Sequence, residues 1–183
     1  MGTGRKMNRL VRELVAGVGR PAPSDPVQLF ERLRSYVEQR EGCEVRLRFE
    51  EFPPDTVSGL MLDLGTMKVI VVERNTTTLH QLVILAHEIW HMVMGDCAAH
   101  GVDELRRSVA ARMLTGEIDV REAVDVLAVA ARTGFHEQEE LDAENFGLKV
   151  GIAFRPFLEN DAALLPGSGL AGRIQASLGS RGI

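Results

Sequence analysis

Residues 79–95 read LHQLVILAHEIWHMVMG, an almost wholly apolar run that carries the histidines of an H-E-x-x-H pattern four positions apart. Apolar side chains fall on nearly every side of a helix drawn through this run, and a helix of that kind is normally buried. The threonines at positions 76–78 come directly before it and offer hydroxyl oxygens that can cap its first turn. We therefore predict a helix over residues 77–95 that carries His87, Glu88 and His91 into the interior.

The H-E-x-x-H pattern is formed by His87, Glu88 and His91. Side chains at positions i and i+4 of a helix stand on one face, so both imidazoles can bind one zinc ion at the usual Zn–N distance of about 2.0–2.1 Å. Glu88 lies one step round the helix, where it can take a proton from a zinc-bound water. The alternative is a chance match, with both histidines merely hydrogen-bonded in or near the core. The pattern is specific enough to predict one zinc ion per chain.

A catalytic zinc site needs a third protein ligand, and several residues compete for that role. Cys97 stands where the longer motif H-E-x-x-H-x-x-G-x-x-H has its last histidine, but that motif requires glycine at the position of Met94. His100 has a spacing with no motif behind it. Sites of the His₂Glu kind instead use a glutamate from a second helix, and the segment EQEELDAENFG at residues 137–147 offers several.

Glu140 is the favoured glutamate, because the face that bears the ligand must be narrow if two helices are to come close. Ala143, Gly147 and Gly151 follow it on about the same helical face. Glu139 shares its stripe with larger residues, so we expect it to be exposed or edge-facing, and it stays the alternative ligand. The alternative for either glutamate is that it is one of several exposed acidic residues in the first turn of a helix and binds no metal.

His136 lies one turn before Glu140 on the same side of that helix. A hydrogen-bond donor there can reach the site or a developing oxyanion, so we predict a catalytic role for His136 beside that of Glu88. The plainer alternative is a surface histidine near the start of a helix.

The rest of the chain predicts an α+β fold. Residues 1–42 show the apolar spacing of helices, whereas residues 43–74 show the patterns of strands. Two of these strands are joined around Gly65, and the second of them, at 67–72, is predicted to be central in the sheet. We expect a small sheet of about three strands packed on the buried H-E-x-x-H helix, with helices before and after it. This arrangement would be a zincin- or gluzincin-like core.

The second half of the chain is predicted to be mostly helical. We expect a helical insertion at 103–133, a third-ligand helix at 136–153 that ends before Pro156, and a flexible tail at 161–183 rich in Gly and Ser. The apolar stripe AVDVLAVAA within the insertion is either core or a partner surface. Residues 1–160 are predicted to form a single metallopeptidase-like domain.

Composition limits the function further. The chain has 183 residues and a net charge of −5, and since phosphate binding needs clustered Lys and Arg, we expect no direct nucleic-acid binding. No apolar run reaches the roughly 20 residues of a membrane span, and the basic N-terminus lacks the apolar core of a secretory signal. Two cysteines in the whole chain suit a reducing compartment. We predict a cytoplasmic protein without a membrane partner.

Together these motifs resemble the ImmA/IrrE-like metallopeptidases. The resemblance covers a glycine-led strand pair ending in KVIVVERN, the threonine lead-in, LAHEIWH, and ELDAENFG, which is similar to the family's E-x-x-A-x-x-F-A segment. The implied roles are zinc ligation by His87, His91 and Glu140, and general base or acid catalysis by Glu88. Several members cleave a helix-turn-helix repressor, often one encoded by a neighbouring gene, and many carry toxin–antitoxin labels. The insertion and the sequence LKVGIAFRP after Phe146 depart from the family pattern.

The sequence therefore predicts a zinc-dependent endopeptidase that acts on a protein or peptide partner. The resemblance implies a helix-turn-helix transcriptional repressor as that partner. We also expect the strand MKVIVVE, residues 67–73, to pair with an extended substrate segment if its edge is free. The alternative function is a non-catalytic regulatory or toxin–antitoxin-type binding protein with a structural or vestigial zinc site. A helical core protein without metal is a third alternative, and it requires the motif to be chance.

Overall fold

The computed structural model describes residues 2–19, 21–94, 100–131 and 137–163, with the side chains of the last two stretches described at 105, 107–127 and 137–158. The elements in chain order are α1 (Thr3–Val18), α2 (Pro26–Glu41), β1 (Glu44–Glu50), β2 (Gly59–Asp63), β3 (Met67–Glu73), α3 (Thr78–Met94), α4 (His100–Thr115), α5 (Val120–Ala131) and α6 (Glu137–Ala163). Within these stretches no helix is both long and apolar enough to cross a membrane. The predicted α+β class is confirmed: the described chain has six helices and a three-stranded mixed sheet.

The sheet has the strand order β1-β3-β2, with β1 parallel to β3 and β2 antiparallel to it. The turn between β2 and β3 holds Gly65 at a φ of +84°, and the carboxylate of Asp63 accepts a hydrogen bond from Gly65 N at 2.7 Å. A positive φ of this kind favours glycine, so the predicted turn around Gly65 is confirmed. The predicted central strand is confirmed as well, because β3 has a partner on each side.

The central position of β3 makes one prediction wrong. β3 pairs with β1 along one edge and with β2 along the other, so MKVIVVE has no free edge for a substrate. Residues 69–72 of β3 are all buried because both faces of the sheet are covered. An added strand has to use the outer edge of β1 or β2.

Helices cover both faces of the sheet. Ile70 and Val72 of β3 face the core that α3 shares with α1, α2 and α6. Val69 and Val71 alternate with them and face a second core, formed with α4 and α5. The helical insertion therefore supplies the layer opposite α3, a position that its sequence did not indicate.

The apolar stripe of the insertion lies in this second core. Ala123, Val124 and Leu127 of α5 are buried there against residues of β2 and β3. The core alternative is thus confirmed for the part of the stripe whose side chains are described.

Local signals account for the ends of α2. Asp25 accepts a hydrogen bond from Gln28 N at 2.8 Å and so caps the helix. Pro26 occupies the first helical position, and Gly42 ends the helix at a φ of +68°. The apolar sides of α1 and α2 both enter the core that contains α3.

The predicted end of the last helix before Pro156 is wrong, because α6 continues through Pro156 to Ala163. Proline lacks the N–H that would bond to the carbonyl of Ile152. Both residues lie on the exposed face of α6, where water can satisfy that carbonyl. On the other side, Phe154 is fully buried and its ring centroid lies 5.6 Å from that of Phe157, so packing carries the helix past the proline. The predicted tail beyond residue 163 lies outside the described residues.

Candidate metal centre

Helix α3 begins where the threonine run ends. Thr77 Oγ1 accepts a hydrogen bond from His80 N at 3.3 Å, so Thr77 acts as the N-cap. Leu82, Leu85 and Ile89 are each at most 2% exposed, and their burial fixes the rotation of the helix about its axis. This rotation places the face that bears the two motif histidines at the edge of the core.

The histidines are only half-buried, whereas the glutamate between them is buried. The side chains of His87 and His91 are each 23% exposed, and Glu88 is 8% exposed. The prediction that the helix carries all three into the interior is therefore confirmed for Glu88 and wrong for the histidines. Their partial exposure gives an ion in solution access to both imidazoles.

Small residues let α6 pack directly on α3, as the sequence predicted. Ala143 is fully buried, and a Cβ on Gly147 would lie 2.8 Å from the carbonyl oxygen of Val83 in α3. A Cβ on Gly151 would lie 2.9 Å from Val83 Cγ2. Distances this short are not compatible with a side chain, so the close approach of the helices depends on these glycines. The approach brings Glu140 to the histidines.

The potential ligand atoms of three residues converge between α3 and α6. The Nε2 atoms of His87 and His91 are 3.0 Å apart. Glu140 Oε2 lies 3.5 Å from Nε2 of His87, and Glu140 Oε1 lies 3.5 Å from Nε2 of His91. Donor atoms about 2.0–2.1 Å from a tetrahedral zinc ion are roughly 3.3 Å from one another. The donor set and its spacing therefore fit a metal ion, and these three residues could hold one.

Among the candidate third ligands whose side chains are described, Glu140 is the one that lies close to both histidines. Within the described chain, His87, His91 and Glu140 form the one group of this kind, and Glu139 is not a member. Cys97 and His136, the other candidates for the site, lie outside the described residues. His100 opens α4, and its side chain is not among those described.

A cleft of about 120 Å³ adjoins the site at His91. Trp90 and Glu139 line it from α3 and α6, which agrees with the predicted edge-facing position of Glu139. Thr3 and Lys6 of α1 line it as well. No signal in the first residues of the sequence indicated that α1 reaches this point, because only the packing of α1 on α6 brings it there.

The cluster shifts the pKa values of its own members. Side-chain hydrogen bonds with His87 and His91 lower the pKa of Glu140 to about 2 in spite of partial burial. Burial alone would lower the pKa of His87, but the hydrogen bond with Glu140 and the negative charges of Glu88, Glu140 and Glu144 outweigh it and raise the pKa above the ordinary value of 6.5. Without a metal, His87 therefore keeps its proton to a higher pH than an ordinary histidine does, and Glu140 stays ionised to a lower pH than an ordinary glutamate does.

Zinc binding is expected to strengthen as the pH rises. The proton on His87 must leave before Nε2 can bind a metal, which costs up to about tenfold in apparent affinity per pH unit below the pKa of the group.

The stability of the metal-free protein depends on pH in a different way. The raised pKa of His87 contributes stability that is full below 6.5 and is lost as the pH rises through the folded value. The lowered pKa of Glu140 contributes stability that is full above 4.5 and is lost as the pH falls towards about 2.

Thermal melts with and without zinc check this expectation. The increase in Tm on adding zinc should be several degrees larger at about pH 8 than at about pH 5.5, because competition by the proton on His87 disappears. Glu144→Gln provides the control, since it removes one of the charges that raise the pKa of His87 but leaves the three potential ligands in place. An increase in Tm of equal size at both pH values would contradict a site built on this histidine.

No protein-family model, curated protein or solved structure matches the chain at a significant level. The class of site is therefore defined by its own geometry: two histidines and one glutamate that could hold a metal ion, beside a buried second glutamate.

Proposed function

We propose that this protein is a zinc-dependent endopeptidase of the ImmA/IrrE-like kind with a zincin-like core. The observation that supports this proposal is that a potential ligand set and a buried glutamate lie together where α6 packs on α3. His87, His91 and Glu140 converge as a ligand set, while Glu88 is buried beside them and is not part of that set. A purely structural zinc site has four protein ligands and needs no adjacent base.

The proposed roles divide between holding the ion and moving a proton. Bound zinc supplies a Lewis acid that polarises the scissile carbonyl and lowers the pKa of a water molecule towards ~7. Glu88 accepts a proton from the attacking water on a carboxylate oxygen and returns it to the nitrogen of the leaving amine. His87, His91 and Glu140 hold the ion in place. The position of His136, proposed as a hydrogen-bond donor from the sequence, is not described.

We propose that the substrate pairs with the outer edge of β2. Glu73 N donates to the carbonyl of Ser58 at 2.8 Å, so the backbone groups of Ser58 face β3. In an antiparallel pair this orientation alternates along the strand. The N–H and C=O groups of Gly59, Met61 and Asp63 therefore point away from β3, and no strand in the described part of the chain pairs with them. An extended peptide can add to such an edge.

The other free edge of the sheet is less suited to this task. Val45 N in β1 donates to Glu38 Oε2 at 3.1 Å, and its carbonyl accepts from Arg34 Nη1 at 2.9 Å. The carbonyl of Phe49 accepts from Arg74 Nη2 at 2.7 Å. These side chains already bond outward backbone groups of Val45 and Phe49, as edge protection does in other sheets. This contrast supports β2 as the docking edge.

The proposed partner is a cytoplasmic protein of the helix-turn-helix repressor class, which rests on the resemblance alone. The test incubates the zinc-loaded protein with a library of internally quenched peptides and with any helix-turn-helix repressor encoded beside its gene. Peptide cleavage that falls at least about 10²-fold with 1,10-phenanthroline and returns with zinc would support the proposal. A stable complex with the repressor and no cleavage would favour the regulatory binding protein instead. Absence of both would reject the proposal.

A further inference from the structure

Gly59, the first residue of β2, leaves a space that the carboxyl group of Glu88 occupies. A Cβ on residue 59 would lie 2.5 Å from Glu88 Oε1 and 3.2 Å from Glu88 Cδ. The same Cβ would lie 2.6 Å from Cγ2 of Ile84, one turn earlier on α3. The three nearest atoms thus belong to two residues of α3, and one of them is the buried glutamate.

The backbone does not require glycine at this position. The described glycines with a positive φ are Gly19, Gly42, Gly65 and Gly116, and Gly59 is not among them. Glycine within a strand weakens it and often marks a close approach of another group. Residue 59 pairs with Val72, whose side chain faces the α3 core, so a side chain at 59 would point to α3. The requirement for glycine is therefore steric.

A side chain at residue 59 would displace mainly the side chain of Glu88. Ile84 is 5% exposed and belongs to the core, so its methyl group has little room to move. Oε1 is the end of a flexible side chain, and rotation of that side chain moves it more easily than a core residue can shift. The group displaced is then the carboxylate to which proton transfer is assigned.

We propose that Gly59 is a positioning residue for Glu88: the missing side chain keeps open the place in which the carboxylate meets the substrate on β2. This role rests on the proposed peptidase function. The site then requires more than the H-E-x-x-H pattern and the three ligands: it also requires a residue without a side chain on β2.

A stability cycle tests the contact without any substrate. Gly59→Ala is expected to lower the Tm of the zinc-loaded protein by about 3–8 °C. In a Glu88→Ala background the same change should lower it by less than half as much, because the shortened side chain leaves room for the new methyl group. Equal losses in both backgrounds would overturn the proposal, whether or not the protein is a peptidase.

Kinetics on a peptide found in the cleavage test then separate positioning from a structural effect. Gly59→Ala should lower kcat about 10²-fold, while KM and zinc affinity each change by less than about threefold. A matched control is Gly17→Ala, which crowds the ring of Tyr36 in α2 instead of α3 and should keep kcat within about threefold. If Gly59→Ala fails to fold, the double variant Gly59→Ala/Ile84→Ala takes its place. The second change removes the contact with Ile84 Cγ2, and the double variant should still show the loss of kcat.

The outcomes distinguish this inference from the proposed function. An active parent protein with an equally active Gly59→Ala variant would overturn the positioning role and leave the peptidase proposal intact. A parent protein that cleaves nothing would reject the peptidase proposal and with it the catalytic purpose of the contact. The stability cycle would still decide whether the contact exists.

Discussion

Glu140→Ala is expected to lower the affinity for zinc by about 10²–10³-fold. A structural four-ligand zinc site binds with roughly 10–16 kcal/mol, so the loss of one ligand corresponds to about 3–4 kcal/mol. The change leaves two histidines with Nε2 atoms 3.0 Å apart and no carboxylate to complete the set. Metal content of the purified variant and competition with a chromophoric chelator measure the effect.

Two variants serve as controls for this result. Glu139→Ala removes the neighbouring carboxylate, which lines the cleft beside His91 but does not belong to the ligand group. Cys97→Ala tests the candidate from the long zincin motif. Both are expected to retain about one zinc ion per chain with an affinity within about threefold of the parent. Loss of zinc in Cys97→Ala with retention in Glu140→Ala would show that the third ligand has been assigned to the wrong residue.

Glu88→Gln is expected to abolish cleavage while the protein stays folded and loaded with zinc. The amide has nearly the shape of the carboxylate but cannot accept the proton of the attacking water, and loss of a general base typically costs 10²–10⁴-fold in rate. Since the three potential ligands are on other residues, zinc affinity should stay within about threefold. Peptide cleavage, metal content and a thermal melt of the same preparation measure the three properties together.

The matched control for this change is Glu144→Gln. Glu144 is an exposed glutamate on α6, one turn after Glu140, and the same chemical change there should leave the rate within about threefold. Cleavage retained in Glu88→Gln would exclude Glu88 as the base. Equal loss in both variants would point to a general effect of charge near the site rather than to proton transfer.

Several features of the fold were predictable because they depend on short stretches of chain. The cap at Thr77 and the hairpin turn at Gly65 follow from residue types whose preferences act within a few positions. The small residues after Glu140 also predicted the close packing of α6 on α3, because only a narrow helical face allows it.

Other features were not predictable from local patterns. The helix beyond Pro156 persists because Phe154 and Phe157 pack in the core that contains α1, α2 and α3, while the proline faces solvent. The insertion covers the second face of the sheet, and α1 lines the cleft beside His91. Each of these results depends on contacts between segments that are far apart in sequence.

By itself, the sequence determined the residue types of the site, namely the H-E-x-x-H pair on one helix and an acidic helix with a narrow face, because helical periodicity places such residues on one side. Only the tertiary structure decided which glutamate meets the histidines, which strands have a free edge, and which atoms a side chain at residue 59 would meet. These three answers depend on distances between separate elements, and side-chain packing sets those distances only once the core has formed.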